Sequence, residues 1–244
     1  MGIAYGTTTL HQATKGIVQD GLVFNFDPGV KESYSGSGSS ATALTGQSIS
    51  VNNSPTFTRS NYGGNFVYDG SNDYLSVADS SENFTFANGN FSVGGWIANT
   101  VTGDNIIISK TLTSSGGGWV LEAGSTIDLV RYYMDSSAQN QNVTYNPGSR
   151  IQDWTYAMAT CGTSGAAGDM KIYVNGSLAA TNSLAEIKTS VSNTSAVEIG
   201  RVNIYNIFQS YGKHDAGLVH IYNKVLNAAE VLQNFNATRH RFGI

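Results

Sequence analysis

The sequence predicts an all-β fold, an antiparallel two-sheet sandwich closed by one short C-terminal helix. Three observations point there. Strand-like segments with turn signals between them recur along about 200 residues, the spacing typical of sandwiches. Charged residues are only 12% of the 244-residue chain, about half the usual share, and Ser, Thr, Asn and Gly fill the gap. A helix-start signal occurs only near the end.

In chain order, residues 1–16 are polar and Thr-rich and read as an extended arm, either a frayed end or an arm for a neighbouring subunit. Residues 17–235 read as one domain, and 236–244 as a tail. Gly21-Leu-Val-Phe-Asn-Phe-Asp27 is the first strand, stopped by Pro28-Gly29, and Tyr34–Ser40 is a Gly/Ser loop. Phe66, Tyr68, Leu75 and Val77 alternate with smaller or polar neighbours around Asp69-Gly-Ser-Asn-Asp73, which predicts a hairpin-like strand–turn–strand. Asn90–Ile97 turns Phe91, Val93 and Ile97 inward, with Gly94-Gly95 permitting close backbone approach. Ile106–Lys110 is a short apolar run of the kind buried on both faces. Gly116–Glu122 and Ile127–Tyr133 are two strands around a turn, and Asp153–Thr160 puts Trp154, Tyr156 and Met158 on one face. Met170–Val174 and Ser177–Ala180 flank Asn175-Gly176, the pair a type I′ hairpin favours. Ala196–Gly200 and Gly217–Tyr222 are further strands. Asn227 followed by Glu230 makes a capping box, and Leu226, Val231, Leu232 and Phe235 can dock that helix on a sheet.

Composition excludes several classes of function. A net charge of −4 without a basic cluster lacks the footprint of a nucleic-acid binder. No apolar run reaches membrane-spanning length, and the start lacks the charged and apolar regions of a signal peptide. Cys161 is the one cysteine, so no internal disulfide can form; its apolar surroundings predict a small buried hydrophobe.

Gly21–Asp27, Tyr68-Asp-Gly-Ser-Asn-Asp-Tyr-Leu75, Phe91-Ser-Val-Gly-Gly-Trp96, Ser109-Lys110, Trp154-Thr-Tyr-Ala157, Lys171-Ile-Tyr-Val-Asn-Gly176 and Ile199-Gly200 stand in the order found in laminin-G-like jelly rolls. The chain thus resembles that family of the concanavalin A-like lectin and glucanase superfamily over residues 20–235. The run from Ile221 to Gly243 resembles the closing helix and tail of laminin-G-like virion proteins of tailed marine and cyanobacterial bacteriophages. The resemblance implies a jelly roll at a virion surface, as capsid decoration, fibre or knob. It also implies assembly in the bacterial cytoplasm, contacts with other virion proteins and with copies of itself, and contact with host surface polysaccharide.

Fold does not give function, so each chemistry is weighed on residues. Retaining glucanases of the superfamily carry two Glu and an Asp on one strand face, with carboxylates about 5 Å apart. The nearest match, Thr126-Ile-Asp-Leu-Val-Arg131, keeps only Asp128, so no enzyme is expected. His11, His214, His220 and His240 are scattered, no Gly-x-Ser-x-Gly elbow is present, and no zinc spacing occurs; His214-Asp215 reads as a solvated loop pair. Asp69, Asn72 and Asp73 offer oxygens of the kind calcium takes, against the alternative of bonding their own backbone. Calcium-binding relatives often place an Asp where this chain has Gly217, so no cofactor is expected. Sugar binding needs aromatic faces and polar partners; Trp119, Tyr132 and Tyr133 are the candidates, each also compatible with a core or subunit interface. The Asn-x-Ser/Thr matches at Asn83 and Asn193 are discounted as glycosylation sites, because no secretion signal accompanies them. The expected function is therefore a non-enzymatic virion-surface structural protein, with a carbohydrate-binding adhesin as the alternative.

Overall fold

The computed structural model describes residues 16–59, 63–79, 84, 86, 90–111, 117–124, 126–133, 141–162, 169–182, 193–204 and 208–244. The strands are β1 (Leu22–Phe26), β2 (Ser40–Thr42), β3 (Ser48–Asn52), β4 (Thr56–Thr58), β5 (Asn65–Val67) and β6 (Tyr74–Val77). There follow β7 (Phe91–Ala98), β8 (Asn105–Lys110), β9 (Gly117–Ala123), β10 (Ile127–Tyr133), β11 (Gln141–Tyr145) and β12 (Thr155–Cys161). The last are β13 (Met170–Val174), β14 (Ser177–Thr181), β15 (Val197–Ile199), β16 (Arg201–Ile204), β17 (Phe208–Tyr211) and β18 (Asp215–Tyr222), before helix α1 (Ala228–Thr238) and a 3-10 turn over Arg239–Phe242.

Among the described residues these strands form two eight-stranded antiparallel sheets and one two-stranded ribbon. The first sheet runs β14-β13-β12-β7-β18-β5-β4, and the second runs β11-β10-β9-β8-β15-β6-β3-β2. One edge of β18 is shared: β5 pairs with Asp215 and Ala216, and β1 pairs with Val219–Tyr222. The main core lies between the sheets.

Alternation makes the first sheet two-sided. On β7, Phe91, Val93 and Ile97 enter the main core, while Trp96 and Ala98 join a second cluster on the outer face. β12 repeats this with Ala157, Ala159 and Cys161 inside and Tyr156 and Met158 outside. Gly94 and Gly95 let β12 and β18 close on β7, since a Cβ there would stand 2.3 Å from the Ala157 carbonyl oxygen and 2.6 Å from that of Leu218. β8 is buried along its whole length, as its unbroken apolar run predicts. Its terminal Lys110 is fully buried; it pairs with Asp79 and donates to the Asn193 and Ser195 carbonyls, both at 2.9 Å. Burial is the chief influence on its pKa and lowers it; Asp79 acts the other way. The Asn175-Gly176 turn has φ of 48° and 80°, the type I′ geometry of its sequence.

Helix α1 starts as its capping box dictates: Asn227 Oδ1 accepts from Glu230 N at 3.0 Å, and Glu230 Oε2 accepts from Asn227 N at 2.9 Å. Val231 and Phe235 then bury on the outer face of the first sheet.

Three expectations change. Phe66–Val77 is not a hairpin: β5 belongs to the first sheet and β6 to the second, so the Asp69–Asp73 turn carries the chain across the sandwich. Alternation fixes which face a side chain takes, and it is silent on the partner strand. Leu232 is 44% exposed; it lies against the β13–β14 turn at Gly176 and stays out of the buried outer cluster. Residues 236–244 form no separate tail: α1 continues to Thr238, Phe242 is 3% exposed, and Arg241 pairs with Asp27. The expected arm lies outside the described residues up to residue 15. Among the described residues, no helix is long and apolar enough to cross a membrane.

Candidate functional site

The candidates named from sequence do not come together. Trp119 is fully buried among Phe91 and Phe86, with ring centroids 5.6 and 6.3 Å away. Trp119, Leu121 and Ala123 are the inward residues of β9, so the indole presents no face for stacking on a sugar. Tyr132 and Tyr133 close β10 opposite Gly118 and Gly117; their side chains lie outside the described residues.

Asp69 and Asp73 are engaged by backbone. Asp69 Oδ1 accepts from Ser71 N at 2.7 Å and Asn72 N at 3.4 Å, and Asp73 Oδ2 accepts from Asp69 N at 3.4 Å. The Ser71 bond is the main cause holding the Asp69 carboxyl below its ordinary pKa, whereas burial and then the Asp69 charge raise that of Asp73. The Asn72 carbonyl accepts from the Asn53 amide at 2.7 Å. Among the described residues, no group of three or more His, Cys, Asp or Glu is placed to hold a metal ion. At Gly217, where calcium-binding relatives often have Asp, a Cβ would stand 2.8 Å from the Phe242 ring.

His214 is buried rather than solvated, and neither ring nitrogen has a hydrogen-bond partner among the described residues. It packs on Tyr68 at 5.2 Å, and burial lowers its pKa to about 3. Asp215 pairs elsewhere. His220 is held near 3 as well, by burial first and the Arg241 charge second.

One carboxylate pair escaped the sequence reading because it forms across strands. Asp128 of β10 is the register partner of Glu122 on β9. Burial first, then Asp104 and Asp128, push Glu122 up to about 7, while Thr126 donates to Asp128. They line a depression of about 190 Å³.

A larger cleft of about 850 Å³ opens at one end of the first sheet. It forms where β7 ends, where β12 and β18 begin, and where the β13–β14 turn and the C-terminal residues meet. Asn65, Asn99, Gln152, Asp153, Asn175 and Asp215 supply amides and carboxylates, and Trp154 and Phe242 supply apolar surface. Asn99 follows β7 with φ of 53°, a left-handed conformation that Asn adopts more readily than most residues. That bend directs its Nδ2 to Asp215 Oδ2 at 2.8 Å. Burial raises the Asp215 pKa, partly offset by this bond. Asn175 Oδ1 accepts from Tyr156 N at 2.9 Å, and Trp154 packs on Phe242 at 4.8 Å. A neighbouring groove of about 290 Å³ contains Tyr145 and Arg150 and shares Gln152, Asp153 and Thr155 with the cleft. None of the described residues lining the larger cleft is Lys, Arg, His or Cys. Such a cleft is suited to binding hydroxyl-rich molecules, and its described lining holds no nucleophile–base pair. Asn99 and Asp215 are 116 positions apart, so no spacing in the sequence announces them.

A family model described as Concanavalin A-like lectin/glucanases superfamily (Laminin_G_3) matches residues 69–232. Among solved structures, the botulinum neurotoxin type G receptor binding domain superposes with a TM-score of 0.62 at 16% identity, covering 89% of this chain and 51% of that one. The binding domain of Paraclostridial Mosquitocidal Protein 1 gives 0.62 at 15%, covering 89% and 52%. The botulinum neurotoxin serotype D ligand binding domain, solved in complex with N-acetylneuraminic acid, gives 0.64 at 15%, covering 89% and 51%. The chain thus spans about half the length of these structures, and at such identities the likeness is one of fold. No curated protein matches it.

Proposed function

This chain belongs to the concanavalin A-like lectin/glucanases superfamily, and from that premise we propose that it is a non-catalytic module binding cell-surface carbohydrate. The observation that carries the proposal is the Asn99–Asp215 pair, fixed at 2.8 Å in a cleft of about 850 Å³ walled by amides and carboxylates. Sugars are recognised by such groups, pre-oriented by protein contacts so that little ordering remains to be done on binding. A structural neighbour solved with N-acetylneuraminic acid adds support. The Glu122–Asp128 pair weighs little toward hydrolysis, because its depression of about 190 Å³ is smaller than the roughly 300 Å³ at which ligand pockets begin. The test is a glycan array followed by calorimetry on the wild type, Asn99→Ala and Asp215→Ala. Binding that both variants lose while keeping their melting temperature bears the proposal out. A wild type that binds no glycan overturns it.

The resemblance of residues 221–243 to virion proteins supports a placement for this module, the surface of a bacteriophage particle assembled in the host cytoplasm. Other virion proteins and further copies of the chain are then its neighbours. Attachment does not fall to the C-terminal residues, since Phe242 and Arg241 are already engaged with Trp96 and Asp27. It falls to the segment before residue 16, or to the exposed Leu178 and Leu232. Cryo-electron microscopy of intact particles decides this: ordered copies on head or tail support the placement, and particles lacking the chain exclude it.

A further inference from the structure

We propose that the cleft selects uncharged glycans and turns away acidic ones, an inference that rests on the carbohydrate reading above. Two carboxylates, Asp153 and Asp215, line the cleft, and none of its described lining residues carries a positive charge. An incoming carboxylate or sulfate would meet two like charges and no counter-charge. In a recess, salt screens that repulsion less than on an open surface, and such a repulsive element is how a site rejects a near-isosteric competitor.

A sugar hydroxyl meets the opposite situation. Asn99 Nδ2 donates to Asp215 Oδ2 at 2.8 Å and so fixes the carboxylate plane, leaving Oδ1 able to accept from the ligand. Hydrogen bonds to an ionised acceptor are stronger than those between neutral groups. The amides of Gln152 and Asn65 add donors and acceptors that carry no charge. Arg150, the cation of this region, lines the adjoining groove instead, beyond Gln152 and Asp153. The neighbouring fold solved with N-acetylneuraminic acid holds an acidic sugar; the charge distribution here predicts a different preference.

The test titrates the full chain against neutral probes (chitohexaose, laminarihexaose, cellohexaose and a neutral mammalian-type glycan array) and acidic ones (hexagalacturonate, 3′-sialyllactose and a sulfated array). The expected result is binding confined to neutral probes, with affinity changing less than about twofold between about 20 and about 200 mM salt. Asp215→Asn should weaken that binding about tenfold or more. Asp153→Lys, at an exposed position that tolerates the change, should admit acidic probes the wild type refuses. Tighter binding of any acidic probe than of every neutral one, in the cleft or at Arg150, overturns the inference and leaves the carbohydrate reading standing. Neutral binding untouched by both variants overturns the cleft as its site. No binding of any probe overturns the carbohydrate reading and the inference together.

Discussion

The rings of Trp96 and Phe242 stack with centroids 4.2 Å apart and planes 14° from parallel. The contact joins β7, at the centre of the first sheet, to the last turn of the chain, which also lines the cleft. Phe242 touches Trp154 as well, at 4.8 Å, so one side chain closes the outer cluster and forms part of the cleft. Phe242→Ala should therefore destabilise the fold by about 3–5 kcal/mol, the usual range for emptying a buried aromatic site. Urea unfolding would read this as a lower midpoint, with red-shifted tryptophan emission as Trp96 and Trp154 become wetter. An unchanged midpoint would mean that the C-terminal turn is not part of the cooperative fold.

Gly217 lies beneath the same stack. A Cβ there would stand 2.8 Å from Phe242 and 2.9 Å from the Trp96 Cβ, so the place that holds Asp in many calcium-binding relatives is filled by aromatic packing. Gly217→Asp should cost about 3 kcal/mol or more, by overpacking and by burying a charge, and added calcium should not recover it. Thermal melts with and without millimolar calcium test this. A variant that folds normally and gains stability from calcium would contradict the packing argument.

These two cases show where the sequence is legible. Period-two alternation on β7 and β12 assigns every buried side chain a face, because facing is a local property of a strand. Asn175-Gly176 and the Asn227/Glu230 box are equally local, and each has the geometry its residues require. Partners are not local. Phe66 and Leu75 lie nine positions apart yet belong to opposite sheets, and Asn99 meets Asp215 only because β7 and β18 pair. Trp119 carries the same lesson in reverse: its own strand left its face uncommitted, and Phe86 and Phe91 from elsewhere in the chain enclose it.

Glu122 should give the fold a measurable pH dependence. Its pKa rises from 4.5 to about 7 on folding, chiefly by burial. The folded state therefore holds a proton that the unfolded state has released between pH 4.5 and 7, and stability falls as pH rises through that window. The contribution is fully present below pH 4.5 and gone above pH 7, and amounts to about 1–3 kcal/mol. Glu122→Gln, which cannot ionise, should flatten the curve across this range and be the more stable protein at pH 8. Parallel pH profiles for wild type and variant would disprove the assignment.

Trp119 separates core from ligand platform in a single pair of variants. Its indole is fully buried and its Nε1 has no hydrogen-bond partner among the described residues. Trp119→Ala should cost about 3–5 kcal/mol through the cavity it leaves. Trp119→Phe removes an unpaired donor together with part of the ring volume. Losing an unsatisfied polar group offsets some of the cavity cost, so the change should amount to no more than about 1.5 kcal/mol. Glycan affinity of the folded Phe variant should equal that of wild type, because the ring reaches neither the cleft nor solvent. A Phe variant that keeps wild-type stability but loses binding would return Trp119 to the ligand site and displace the cleft around Asn99 and Asp215.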